Sequence, residues 1–199
     1  METLIVDFEK LFIAGVISSE IQNKKWRINQ RWYKNGKSNE CEKYQLMKLE
    51  LLINQKIKTK TNLRLNFGSC KLEINKNPLS KKFGFDYTED IDGYWEVNQI
   101  NIYLNLKFIC DSGGAQNRSI REVYHFIRLQ CEYLLQNDGC FVNILDGDTC
   151  YKFTYLNYNK KASLLDILDE VRYKNIKNRI YIGDTYNFMN WYKSNDYIF

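Results

Sequence analysis

Asn101-Ile102-Tyr103-Leu104-Asn105-Leu106-Lys107-Phe108-Ile109 alternates apolar and polar side chains residue by residue. In a strand, Ile102, Leu104, Leu106 and Phe108 point one way, and Asn101, Tyr103, Asn105 and Lys107 the other. One face reads as core; the other is polar and can carry chemistry. Downstream, the loop Cys110 to Asn117 contains Gly113-Gly114 and opens a helix from about Asn117 to Gln136, with Val123, Phe126, Ile127, Leu134 and Leu135 as apolar contacts. Cys140 to Leu145 is then nearly continuously apolar, as a strand covered on both faces would be. Strand, helix and apolar strand in that order form a βαβ crossover, which predicts a second strand parallel to the first.

Upstream, Tyr94 to Val97 reads as a short strand, preceded by the acidic run Asp86-Tyr87-Thr88-Glu89-Asp90-Ile91-Asp92-Gly93. Leu63, Leu65 and Phe67, then Cys70, Leu72 and Ile74, alternate on either side of Gly68-Ser69, the pattern of a hairpin with a two-residue turn. The period changes to that of a helix over about Asn39 to Ile57. There Tyr44, Met47 and Leu51 share one face and Leu46, Leu49 and Ile53 a neighbouring one, which predicts a substantially buried helix. Leu4, Phe8, Leu11, Phe12 and Val16 predict an amphipathic packing helix over about 3–17. Ala162 to Tyr173 reads as a further amphipathic helix and Arg179 to Ile182 as a short strand, before a tail rich in aromatics from Thr185 onward. With no repeat, linker or low-complexity stretch, the reading is a single α/β domain over residues 1–199.

Composition removes several classes of function. With 44% hydrophobic residues against 27% charged ones, a sizeable core forms and global disorder is excluded. No stretch approaches the length of a membrane-spanning helix, and Met1-Glu2-Thr3 lacks the basic start of a secretory signal, so the expectation is an intracellular protein, cytoplasmic or nuclear, with no membrane partner. The six cysteines form no C-x-x-C pair and His125 is the single histidine, which excludes zinc ribbons, zinc fingers and the multi-imidazole sites of metalloproteases. Those cysteines read as reduced and mostly buried. Absence of a G-x-S-x-G elbow argues against a Ser-His-Asp triad, and Gly113-Gly114 is not followed by the Gly-Lys-Ser/Thr of a phosphate-cradling loop.

An acidic cluster one short strand before a strand bearing Asn105 and Lys107 two residues apart resembles the active site of the PD-(D/E)XK restriction-endonuclease-like superfamily. The stretch from Asp111 through Ile127, continuing to Phe141–Asp148, is also similar to restriction-enzyme-like sequences. The likeness covers roughly residues 84 to 150. It implies an α/β fold in which a mixed sheet flanked by helices forms the αβββαβ core, a Mg²⁺ cofactor, and hydrolysis of duplex DNA. Carried over residue by residue, Asp92 is the metal-binding acid with Asp90 as the competing choice, and Lys107 is the site lysine. Asn105 stands where the family usually has Glu; an amide oxygen can ligate Mg²⁺ without supplying charge. Glu89, Glu96 or Glu50 could replace that charge, and Glu at 105 would restore it. The other reading is a degenerate module of the same fold that binds DNA or RNA without cutting. Restriction-type nucleases are commonly dimers, so the resemblance also implies a homodimer, for which an exposed aromatic tail could serve. Without the resemblance, the acidic run is a solvated turn and Lys107 a surface lysine.

Two segments carry nucleic-acid contacts on the sequence reading. Arg118, Arg121, His125 and Arg128 fall on one stripe of the long helix, and the arginines nearest its start suit phosphate oxygens. Lys24 to Lys37 interleaves cations, including Arg27 and Arg31, with Trp26, Trp32 and Tyr33, so phosphate neutralisation and base stacking come from one stretch. A solvated basic face and a pair of core tryptophans are the plain alternatives. The net charge of +5 decides neither.

Overall fold

The computed structural model describes residues 21–35, 37, 39–66, 68–74, 90–110, 113–151 and 174–195. In chain order these form α1 (Lys24–Ile28), α2 (Glu40–Ile53), β1 (Lys58–Thr59), β2 (Leu63–Leu65), β3 (Leu72–Ile74), β4 (Gly93–Val97), β5 (Ile100–Phe108), α3 (Gly114–Leu134), β6 (Cys140–Asp146), β7 (Ile180–Gly183) and α4 (Phe188–Ser194). A five-stranded mixed sheet runs β1-β4-β5-β6-β7, and β2 and β3 pair separately as a hairpin whose turn is longer than the expected Gly68-Ser69 pair, since Cys70 N donates to Asn66 O at 2.9 Å. The helices expected over 3–17 and 162–173 and the acids Asp86 and Glu89 lie outside the described residues.

The sheet grows from the β4–β5 hairpin, where Val97 faces Ile100 across the two-residue turn Asn98-Gln99. Both turn residues sit in the left-handed region, with φ of 50° and 67°, as the strand-matching hairpin turn requires. At the other end of the hairpin a Cβ on Gly93 would lie 2.7 Å from Ile57 Cγ2, so only glycine lets β4 cross beside β1. After β5, α3 carries the chain over to β6, which pairs parallel to β5 with Asn105 opposite Asn143, as the crossover predicted. Then β7 adds in parallel to β6.

Apolar clusters cover both faces of this sheet. On one face Leu49 of α2 and Phe188 of α4 pack with Trp95, Ile102, Leu104, Leu106, Val142, Ile144 and Tyr181. On the other, Val123, Phe126, Ile127 and Leu134 of α3 meet Phe141, Leu145, Ile180 and Ile182, with half-buried Tyr103 against them. The polar face of β5 is therefore a second core layer over most of its length, and Asn105 is only 3% exposed. Parallel strands with a crossover helix are covered on both sides, and that overrides the half-exposed alternation read from β5 alone.

Three further expectations change. α2 ends at Ile53, because Asn54 turns left-handed and its N–H closes on Glu50 O. Only one side of α2 meets the sheet, so Met47 and Leu51 are 47% and 71% exposed. Part of the aromatic stretch after Thr185 is core: Phe188 is fully buried, and Trp191 and Tyr192 pack against it, while Tyr186 stays exposed. Among the described residues no helix is long and apolar enough to cross a membrane.

Candidate metal and nucleic-acid site

The site is built where β4 departs from β5. Asp92 N donates to Leu104 O at 2.9 Å, and the Asp92 side chain then takes over from the strand: Leu106 N donates to Asp92 Oδ2 at 2.6 Å. Since Gly93 lies opposite Leu104, the next register position sets Asp92 across from Asn105. The carboxylate is thus fastened to the residue just before Lys107. Alternation puts Asn105 and Lys107 on the same face, with Asn105 inside and half-buried Lys107 at the margin.

Beneath this strand end Asn105 joins a buried amide trio. Asn105 Nδ2 donates to Asn143 Oδ1 at 2.9 Å, and Gln130 Nε2 donates to the same oxygen at 2.9 Å. Asn143 Nδ2 donates in return to Gln130 Oε1 at 2.7 Å and to Tyr181 O at 3.2 Å. Asn105 Oδ1 has no hydrogen-bond partner among the described residues.

Beyond Lys107 the surface opens into a cleft of about 480 Å³, lined by Arg27, Tyr33, Lys37, Lys107 and Ser119, with Glu42 as its acid. Gln22 holds the α1 segment over this end of the sheet. Its Oε1 accepts from Gly147 N at 3.1 Å, and its backbone oxygen accepts from Cys110 Sγ at 2.9 Å and Asp148 N at 3.2 Å. Asn23 then caps α1 by accepting from Trp26 N at 2.9 Å. Arg27 lies over the Tyr33 ring, 5.2 Å from its centroid, and its buried Nε has no hydrogen-bond partner among the described residues. Among the described residues of the lining, three cations against one carboxylate make it attractive to anions.

The remaining predicted residues scatter. Asp90 is in an ion pair with Arg64 of β2, and so belongs to the hairpin contact. Glu50 accepts from Ile57 N at 3.1 Å and pairs with Lys56 at 2.8 Å; these bonds hold its carboxyl below the usual range. Glu96 is exposed opposite Asn101, four residues or roughly 13 Å along β5 from Asn105. Neither supplies a carboxylate beside Asn105. Arg118 and His125 are exposed on α3, Arg128 pairs with Glu132 at 3.4 Å, and the Arg121 side chain lies outside the described part. Arg31 is exposed near the tryptophans. Trp26 stacks on Phe108 with centroids 6.1 Å apart, and Trp32 on Tyr44 at 4.4 Å, so each ring has one face committed to the protein.

Sequence reasoning missed Asn143, Gln45 and Asp146. Asn143 carried a signal, since it alone interrupts the apolar run of β6 with a side chain that needs partners. Asp146, fully buried, accepts from Gln45 Nε2 at 2.8 Å and Thr185 Oγ1 at 2.5 Å through one oxygen, and from Thr185 N at 3.1 Å through the other. Burial raises its pKa, against those hydrogen bonds, which lower it. All six cysteines are free and five are buried; desolvation pushes the Cys110 and Cys131 thiols up to about 12, which removes them as nucleophiles.

Among the described residues no three His, Cys, Asp or Glu side chains cluster closely enough to hold a metal. The oxygens beside β5 are one carboxylate and one amide, both hard donors of the kind Mg²⁺ accepts when a substrate phosphate completes the shell. Comparison with protein-family models, curated proteins and solved structures gives no match.

Proposed function

We propose that this chain is a Mg²⁺-dependent endonuclease with a restriction-endonuclease-like core, acting on duplex DNA. The observation that carries the reading is the fastening of Asp92 to β5 at Leu106, across from Asn105 and one residue before Lys107, at the edge of a basic cleft. The element order supports it as well, with a helix, antiparallel strands, a crossover helix and a parallel strand.

In this reading Asp92 and the Asn105 oxygen are the protein ligands of Mg²⁺, which when bound neutralises phosphate charge and lowers the pKa of a water. Lys107 orients the attacking water and holds a phosphate oxygen. Arg27 and Lys37 hold the flanking backbone in register, since a guanidinium and an ammonium both bond phosphate oxygens. Glu42 keeps the cleft from becoming uniformly cationic. The neutral Asn105 favours one second reading, a module of the same core that grips DNA or RNA and does not cut.

Incubation of purified protein with supercoiled plasmid in Mg²⁺ or Mn²⁺, against an EDTA control, separates the two. Metal-dependent nicking supports the nuclease. Salt-dependent binding with no cleavage under either metal supports the binding module instead.

A further inference from the structure

The amide trio under β5 has a fixed polarity, and the group that fixes it is a backbone carbonyl. Tyr181 O can only accept, so Asn143 must turn its Nδ2 toward β7, where the two lie 3.2 Å apart. The same Nδ2 meets Gln130 Oε1 at 2.7 Å, which sets Gln130 Nε2 on Asn143 Oδ1 at 2.9 Å. Asn143 Oδ1 is then an acceptor facing Asn105, and Asn105 can answer only with Nδ2, at 2.9 Å. Reversing any one of these amides would set oxygen against oxygen or NH₂ against NH₂. Asn143 and Gln130 are fully buried, so bulk solvent does not reach them to absorb such a mismatch.

We propose that Asn143 and Gln130 are positioning residues that lock the Asn105 carboxamide with its nitrogen inward and Oδ1 turned away from the trio. Position 105 thereby offers a neutral, acceptor-only ligand to a divalent cation held with Asp92. The cation part rests on the nuclease reading; the orientation does not. A carboxylate at 105 would face Asn143 Oδ1, which Tyr181 and Gln130 keep from turning. The amide is accordingly matched to its neighbours, and glutamate at this position conflicts with them. Among the described residues, the charged groups near it are Asp92 from the neighbouring strand and Lys107 farther along β5. Of the α3 residues with described side chains, Arg118, Glu122 and His125 are exposed and Arg128 pairs with Glu132.

Two measurements on the full chain test this. In ¹⁵N,¹³C-labelled wild type, NMR should show a coupling across the hydrogen bond from Asn105 Nδ2 to Asn143 Cγ. The Asn105 NH₂ protons should exchange at least about 100-fold more slowly than those of exposed Asn190. Binding of Mn²⁺ alone, followed by its electron paramagnetic resonance signal, should be about 10-fold weaker in folded Gln130→Leu than in wild type. Absence of the coupling, or rapid exchange, overturns the locked orientation and leaves the nuclease reading standing. Equal Mn²⁺ affinity in the variant overturns the positioning role. Wild type that binds no Mn²⁺ while keeping the coupling overturns the cation ligand at 105; the nuclease reading falls with it only if plasmid also stays intact in Mg²⁺ and Mn²⁺. The NMR arm needs no variant, so a misfolded Gln130→Leu does not rescue the proposal.

Discussion

At the scale of single residues, Asn105 is where sequence and structure part most sharply. On the sequence, glutamate at this position restores a missing charge. In the fold, the side chain is 3% exposed and spends its nitrogen on Asn143 Oδ1. Asn105→Glu removes that donor and brings negative charge against an oxygen that cannot turn away. We expect it to cost at least about 2 kcal/mol, measured by urea denaturation at pH 7; wild-type stability in the variant would refute the trio as described. Asp146 gives the second residue-scale test. Burial raises its pKa in the folded protein above the unfolded value of about 4, so the native state keeps this proton to higher pH than the unfolded chain. The sign follows: its contribution is most favourable below about pH 4 and is lost as pH rises through the folded pKa, by at most about 1.4 kcal/mol per pH unit. Wild type should therefore lose stability relative to Asp146→Asn across that window. A relative gain with rising pH would mean that the Gln45 and Thr185 hydrogen bonds outweigh burial.

Among the elements, those whose period is set by local sequence were legible and those set by tertiary cover were not. The β4 and β5 strands, the crossover helix and the parallel β6 follow from alternation and apolar runs, and they form within a few residues of the expected limits. Helix α3 starts earlier than expected because extended Gly113 serves as its N-cap. What alternation could not disclose is that α3 would lie over the polar face of β5 and turn Asn105 into a core residue. Nor did periodicity expose the Gln22 and Gly147 clamp, which depends on residues far apart in sequence. Gly147 has φ of +100° and leaves the end of β6 so close to β5 that a Cβ would lie 2.1 Å from Ile109 O. Gly147→Ala combines strain with a backbone clash and should destabilise the fold by at least about 2 kcal/mol, read from the shift of the thermal midpoint. It should also loosen the cleft, because Gly147 N holds Gln22 and Gln22 precedes α1. A variant as stable as wild type would show that the two strand ends are not held together in this way.

Over the whole molecule, the mixed sheet with helices on both faces brings residues from α1, the α1–α2 connection, α2, β5 and α3 to one basic cleft. The sequence supplied Asp92, Lys107 and Arg27 as candidates because charge and spacing are visible in a string. It could not show that Ser119 and the Lys24 to Lys37 segment meet Lys107, since only the folded sheet end brings those elements together. The proposed chemistry needs Asp92 and Lys107 to act together and needs a metal. The decisive measurement is the rate of Mg²⁺-dependent cleavage of duplex DNA by wild type, Asp92→Asn and Lys107→Met, each checked for native folding. Asn at 92 keeps an oxygen for Leu106 N–H, so the strand junction survives the change. Wild type should cleave in Mg²⁺ and stop in EDTA, and each variant should lose roughly 100-fold or more of that rate while still binding DNA. Wild type that leaves DNA intact in Mg²⁺ and Mn²⁺, or variants that cleave as fast as wild type, would contradict the assignment.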